Sequence, residues 1–417
     1  MEILYFYFNL AAILLFFFLL CTVVRKRKKA GNQRLLPPGP WKLPLIGSML
    51  HLIGALPHHA LRNLGKLMQL LVSSPRLAKE ILKVHDLSFA SRPKLMASDI
   101  NMEITGKLMR IICISELLSA KMVKSFGIIR QDEVHNLVIS IHSIPNDVVN
   151  MSKKVFRLTS SVICRSAFGK VWDDRDNLLM ITREVLSLSG GFDVEDFFPS
   201  WTSLHKISGM RSKLMSMHQK IDEKLEKIIN EHKENRDMFF GGTETSSTTI
   251  QWVSSELMKN PNAMNKAQKD LDGNDLEELK YLKLVIKETL RKQKFDGYTI
   301  PLRAKVIVNG WAIGRDPESW DDPENFVPER FENSSVDFNG NHFQFIPFGA
   351  GSRMCPGMHF GLADVVYPLA QLLYHFDWHL PYVLQPKDLD MPDTCGISAA
   401  RKNDLHLIAT PYDFSQY

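Results

Sequence analysis

Residues 345–361 read FIPFGAGSRMCPGMHFG and set one cysteine, Cys355, between a glycine-rich turn and a long apolar segment, MHFGLADVVYPLAQLLYHF. Gly349, Gly351 and Gly357 flank the thiol and Pro356 follows it, so the backbone is suited to tight turns and to close approach of a flat or bulky group. The spacing of the segment after it predicts a buried helix. A thiol just ahead of a helix start meets unsatisfied backbone N–H groups and the positive end of the macrodipole, both of which favour the thiolate. A thiolate serves as a nucleophile or as a metal ligand. The first use needs a base nearby and a zinc site needs further Cys or His, which the neighbourhood supplies only as His359.

The chain of 417 residues, 45% of them hydrophobic, can bury one large core or two ordinary ones. Its five cysteines are scattered without the paired spacing that would suggest a zinc site or a disulfide framework, which points to a reducing compartment. The formal net charge is +5, and the run RKRKK at 25–29 supplies that many positive charges alone, so the remainder is near neutral and nothing argues for nucleic acid. Residues 3–24 contain no formal charge and are long enough as a helix to cross a bilayer. With RKRKK directly after them and only Glu2 before, 1–24 reads as a retained transmembrane anchor with the following chain in the cytosol. Residues 25–49 form a basic stop and a proline-rich hinge, LLPPGPWKLPLIG. Residues 50–417 are expected to form one globule, mainly α with a small β-sheet portion. Helical spacing is clear in SPRLAKEILKVH (74–85) and in 211–236, strands are expected at YTIP (298–301) and KVIVNG (305–310), and no internal repeat is visible.

A single thiolate beneath a haem iron needs no other protein ligand. The pattern F-x-x-G-x-R-x-C-x-G, carried by Phe348, Gly351, Arg353, Cys355 and Gly357, resembles the haem-binding loop of the cytochrome P450 monooxygenases. The resemblance implies the cytochrome P450 fold and assigns Cys355 as proximal iron ligand, Phe348 as the aromatic beside the thiolate, Arg353 as a propionate partner, and the glycines as the turn that admits the ring. Thiolate ligation pushes electron density to the iron and favours O–O cleavage.

Three further stretches carry the resemblance. In YLKLVIKETLRK (281–292), Glu288 and Arg291 share a helix face, and FVPERF (326–331) adds Arg330; together they resemble the family's structural charged triad. GGTETSSTTIQWVSSELMKNP (241–261) reads as a glycine pair followed by a helix ended by Asn260 and Pro261. It resembles the oxygen-binding helix, which would make Glu244 and Thr245 the pair that relays protons to bound dioxygen. GKLMRIIC (106–113) resembles the helix whose tryptophan and arginine hold a propionate; Arg110 stands at the arginine position and Gly106 at the tryptophan position.

Matches at FASRP (89–93), ELLSAK (116–121), GFDVEDFFPSW (191–201) and most of the chain after 241 resemble the plant microsomal branch that oxidises terpenoids and related specialised metabolites. Such a protein would sit in the endoplasmic reticulum membrane by a single span, its catalytic domain facing the cytosol. It would take electrons from an NADPH-cytochrome P450 reductase and use O2 to oxidise a small lipophilic substrate. The chain is shorter than members of that branch, with segments reduced between 64 and 73, between 99 and 106, near 236 and after Arg291. These gaps set the alternative expectation, a truncated and catalytically silent relative with impaired haem binding. A membrane-tethered thiol enzyme with Cys355 as nucleophile is a third reading.

Overall fold

The computed structural model describes residues 71–89, 117–144, 146–169, 236–271, 279–292, 296–298, 307–381, 384–394 and 398–412, with single positions at 114, 181 and 184 and five between 212 and 219. The chain divides into a unit Met1–Leu71 and a unit Val72–Tyr417, and every described residue except Leu71 belongs to the second. The expected anchor (1–24), the hinge (25–49) and Arg110 lie outside the described residues. Among the described residues no helix is long and apolar enough to cross a membrane.

Local sequence signals start and stop the helices. Strand β1 (Leu71–Val72) leads to α1 (Pro75–Lys79), where the Ser74 hydroxyl accepts the Leu77 N–H and Pro75 takes the first turn. The helix then widens into a π turn over Glu80–Val84, closed by His85 N–H to Glu80 O at 2.9 Å, before α2 (Asp86–Phe89). Helix α3 (Ala120–Ser125) is capped by Ser119, and α4 (Gly127–His142) follows directly. Strand β2 (Val148–Asn150) ends in Asn150, whose side chain accepts the Lys153 N–H at 2.9 Å and caps α5 (Met151–Phe168). Gly169, at φ +76°, ends α5 in a left-handed cap that a side chain would strain.

Helix α6 (Arg236–Lys259) stops at Asn260, as the sequence predicts, and Pro261 opens α7 (Pro261–Lys269). Its beginning differs: the glycine pair lies inside α6 and not before it. A Cβ on Gly242 would come within 2.6 Å of Ile163 Cδ1 on α5, so the missing side chain serves a close helix crossing. Helix α8 (Lys280–Lys292) precedes β3 (Asp296–Tyr298) and β4 (Ile307–Asn309). The strand expected at 298–301 shares only Tyr298 with β3, and the one expected at 305–310 ends one residue early, at Asn309; residues 299–306 lie outside the described residues. After β4 the chain turns into α9 (Gly310–Ile313) because the Asn309 side chain accepts the Ala312 N–H at 3.0 Å. Helix α10 (Met358–His375), β5 (Phe376–His379) and β6 (His406–Pro411) complete the elements.

Among the described residues the strands form two sheets, β1-β4-β3 and β2-β6-β5, the second antiparallel with Val149 opposite Leu407 and Trp378 opposite Ala409. The chain is therefore mainly α with small sheets. The large core gathers α4, α5, α6, α8 and α10 around residues such as Ile163, Ile250, Leu282 and Leu369. A smaller one joins Val72, Ala78, Val308, Phe343, Ile346 and Ala350.

Helix α10 carries one costly feature inside the large core. Asp364 is 1% exposed and accepts from Arg130 Nε on α4 at 2.6 Å, while Arg130 Nη2 and Asp364 Oδ2 have no hydrogen-bond partner. Burial pushes the Asp364 carboxyl up to about 6, against the opposing pull of Arg130. A carboxyl raised above its unfolded value of 3.8 contributes stability at low pH that is lost as pH rises from that value through about 6. The loss amounts to up to about 3 kcal/mol. Urea unfolding of the wild type and of Asp364→Asn across this range should show that fall in the wild type only; equal slopes would refute the assignment.

Candidate functional site

The loop at 345–357 folds by its own backbone. Gly349 N–H donates to Ile346 O at 3.0 Å, Met354 N–H to Gly351 O at 3.2 Å, and Cys355 N–H to Phe348 O at 2.8 Å, which closes the loop on itself. Gly349 and Gly351 hold φ of +72° and +68°, left-handed values that favour glycine. Residues Gly351–Arg353 form a short 3-10 turn, and α10 starts three residues beyond Cys355 with Gly357 at its cap. Cys355, Arg353 and Pro356 are exposed, whereas Phe348 is half-buried with its ring 5.5 Å from Phe338 in an edge-on contact. The thiol thus stands at the positive end of α10.

Helix α6 passes beside α10, where a Cβ on Gly361 would lie 3.6 Å from Ser246 Oγ. One residue earlier, Thr245 is exposed and donates its hydroxyl to Gly241 O at 2.6 Å, and a Cβ on Gly241 would have no heavy atom within 4 Å. Glu244 is buried instead, and its Oε1 accepts from Ser398 Oγ at 2.7 Å. Successive helical residues project about 100° apart. Glu244 and Thr245 therefore project in different directions, the first into the protein and the second to the exposed side. The structure brings Glu244 to a carboxy-terminal segment that also docks on α6 through Trp252 Nε1 to Ala399 O (2.8 Å) and Arg401 Nη1 to Ser255 Oγ (3.1 Å).

The three expected triad residues do meet. Arg291 grips Glu288 with two parallel bonds of 2.8 Å, both side chains fully buried, and Arg330 Nε reaches Glu288 Oε2 at 3.1 Å in an ion pair whose angle falls short of a hydrogen bond. The guanidinium groups then collect backbone carbonyls. Arg291 bonds Gly314 O, Pro323 O at 2.9 Å and Asn325 O at 3.3 Å; Arg330 bonds Asp321 O at 2.5 Å and Asp322 O at 3.0 Å. Glu288 Oε1 also accepts the Val327 N–H at 3.0 Å. A contact that no sequence spacing suggested joins the cysteine loop: Asp86 accepts Ser352 N–H at 3.0 Å and Ser352 Oγ–H at 3.1 Å. Ser398 was missed in the same way, since its partner lies more than a hundred residues earlier in the chain.

The profile of the cytochrome P450 family matches residues 37–238 and 234–407. The chain belongs to the cytochrome P450 family. A premnaspirodiene oxygenase from Hyoscyamus muticus is 47% identical over 470 residues, covering 91% of this chain and 94% of that protein. A 5-epiaristolochene 1,3-dihydroxylase from Nicotiana tabacum is 46% identical over 472 residues (91% and 94%), and a tabersonine 3-oxygenase from Catharanthus roseus 40% over 473 (91% and 93%). By family the chain is a cytochrome P450 monooxygenase, a class that uses thiolate-ligated haem, O2, a lipophilic substrate and a redox partner. The residues present fit that cofactor. An exposed thiol stands at a helix start, Gly241 and Gly357 are uncrowded, and among the described residues no group of three or more His, Cys, Asp and Glu offers a rival metal site.

Glu288→Gln leaves the buried Arg291 and the half-buried Arg330 without their anion, a change that costs about 3–5 kcal/mol. That is a large part of a typical folding free energy of about 5–15 kcal/mol. Denaturant unfolding should show this loss, while the exposed Glu318→Gln control stays within about 0.5 kcal/mol. A triad variant as stable as the control would show that the network contributes nothing to folding.

Proposed function

We propose that this chain is a membrane-anchored haem-thiolate monooxygenase that inserts one atom of O2 into a small lipophilic substrate, a terpenoid or related specialised metabolite. Residues 1–24 anchor it by a single span in the endoplasmic reticulum membrane, the catalytic domain faces the cytosol, and an NADPH-cytochrome P450 reductase supplies the electrons. The observation that carries this reading is the exposed Cys355 at the start of α10, in a loop closed by its own N–H on Phe348 O. Relatives that oxidise premnaspirodiene and 5-epiaristolochene support the substrate class.

Cys355 Sγ would be the iron ligand, its anionic form favoured by the N–H groups and dipole at the start of α10. The bound haem supplies dioxygen activation, with electron density from the thiolate favouring O–O cleavage. Arg353 would pair with a propionate through its exposed guanidinium, and Phe348 would shield the sulfur from water. Gly357 would admit the ring edge, Gly351 would shape the turn beside it, and Arg110 would hold a second propionate. On α6, Thr245 keeps its own proton on the Gly241 carbonyl, so its oxygen lone pairs remain on the exposed side to accept a proton or orient a water. Glu244 would serve as the buried carboxylate of the relay, held ready by Ser398.

A second reading has its own observation. The alignments with the relatives run over 470 residues or more, longer than the whole chain of 417, and the family profile matches in two pieces that meet at 234–238. Both facts favour internal deletions, as at the junction before α6, and a chain so shortened could keep the loop and fail to hold haem. The difference spectrum of the reduced protein with and without carbon monoxide, taken on membranes containing the expressed chain beside Cys355→Ser, separates the two. The monooxygenase reading expects a thiolate-type Soret band that the substitution abolishes; no band from detectable protein supports the silent relative.

A further inference from the structure

The cysteine loop is gripped from outside by the segment 80–86. Asp86 meets Ser352 with both carboxylate oxygens, one on the backbone N–H at 3.0 Å and one on the hydroxyl at 3.1 Å. Immediately beside it, a Cβ on Gly351 would lie 2.1 Å from Leu82 O and 3.0 Å from Asp86 Oδ1, so this glycine is needed for close approach as well as for its φ of +68°. The Leu82 carbonyl belongs to the π turn Glu80–Val84, whose extra residue per turn shifts the chain that follows it. Lys83 Nζ reaches Asn341 Oδ1 at 3.0 Å on the arm that leads into the loop. Below these polar contacts, Ile81 and Leu82 pack on the small core that contains Phe343, Ile346 and Ala350. Polar and apolar contacts from one short segment thus converge on the residues that lead to Cys355.

We propose that Asp86 is a positioning residue for Cys355: it holds the Gly351–Arg353 turn against the π turn and so fixes the conformation in which the thiol is presented. This rests on the reading of Cys355 as the haem ligand. Asp86 touches neither the sulfur nor the substrate; it acts through Ser352, three residues before the cysteine. An asparagine can reproduce both contacts, its carbonyl accepting from the N–H and its amide donating to the hydroxyl oxygen, whereas an alanine reproduces neither.

The test uses the full-length chain in detergent, as wild type, Asp86→Ala, Asp86→Asn and Ser352→Ala. Hydrogen exchange is read at the Ser352 and Cys355 amides, and the reduced carbon monoxide complex gives the fraction with a thiolate-type band. In Asp86→Ala, loss of both bonds should accelerate exchange at both amides by about tenfold. The thiolate-type fraction should fall with it, Ser352→Ala should show a smaller change of the same sign, and Asp86→Asn should stay near the wild type. A purely local bond would move only the Ser352 amide. If the negative charge were the cause, Asp86→Asn would behave like Asp86→Ala. Either result overturns the proposal, as does an Asp86→Ala protein that matches the wild type in both readouts. Should Asp86→Ala aggregate, an unchanged Cys355 amide in Ser352→Ala overturns it. If the wild type shows no thiolate band, the monooxygenase reading falls, and the exchange contrast at Cys355 still decides the role of Asp86.

Discussion

One buried carboxylate organises the carboxy-terminal half of this protein. Glu288 on α8 holds Arg291 and Arg330, and those two guanidinium groups collect the backbone carbonyls of a segment, 314–331, that has little regular structure of its own. A segment without a ladder must find partners for its carbonyls elsewhere or leave them unpaired in the core. The side chains of one helix and one 3-10 turn provide them. Trp320 then lies against Phe331 and Phe345, Phe345 near Phe338, and Phe338 edge-on to Phe348. A row of rings thus connects the charged network to the loop that ends at Cys355. The ion pairs need not add net stability, because desolvation offsets much of their attraction. Their value lies in fixing one arrangement of a meander that could otherwise take many.

The same economy of contacts shapes the other side of the site. Helix α6 approaches α5 closely because Gly242 leaves room for Ile163, and the chain after 398 is strapped along α6 by Ser398, Ala399 and Arg401. The strap reaches Glu244, so the position of that carboxylate depends on residues near the carboxy terminus. Thr245, its neighbour in sequence, is settled by its own helix. Two adjacent residues are thereby held by different parts of the molecule.

Much of this was legible in the sequence where the signal is local. Asn260 and Pro261 mark the end of α6, the glycines around Cys355 mark a turn, and Glu288 with Arg291 share a face by helical spacing. The glycine pair at 241 and 242 misled, because glycine usually argues against a helix interior and the crossing with α5 explains Gly242 alone. Strand β4 ended early because Asn309 caps a helix, a side-chain effect that apolar patterning does not display. The sheet β2-β6-β5 escaped notice since its strands are short and come from three distant parts of the chain. Asp86 and Ser398 were invisible for the same reason: each is defined by a partner far along the sequence, and no spacing rule connects them.

Iron K-edge X-ray absorption on the purified full-length protein tests the role of Cys355 most directly, since it reports the atoms bound to the metal. Thiolate ligation predicts a single sulfur scatterer in the first coordination shell, absent in Cys355→Ser. Iron coordinated only by nitrogen and oxygen in the wild type would contradict it.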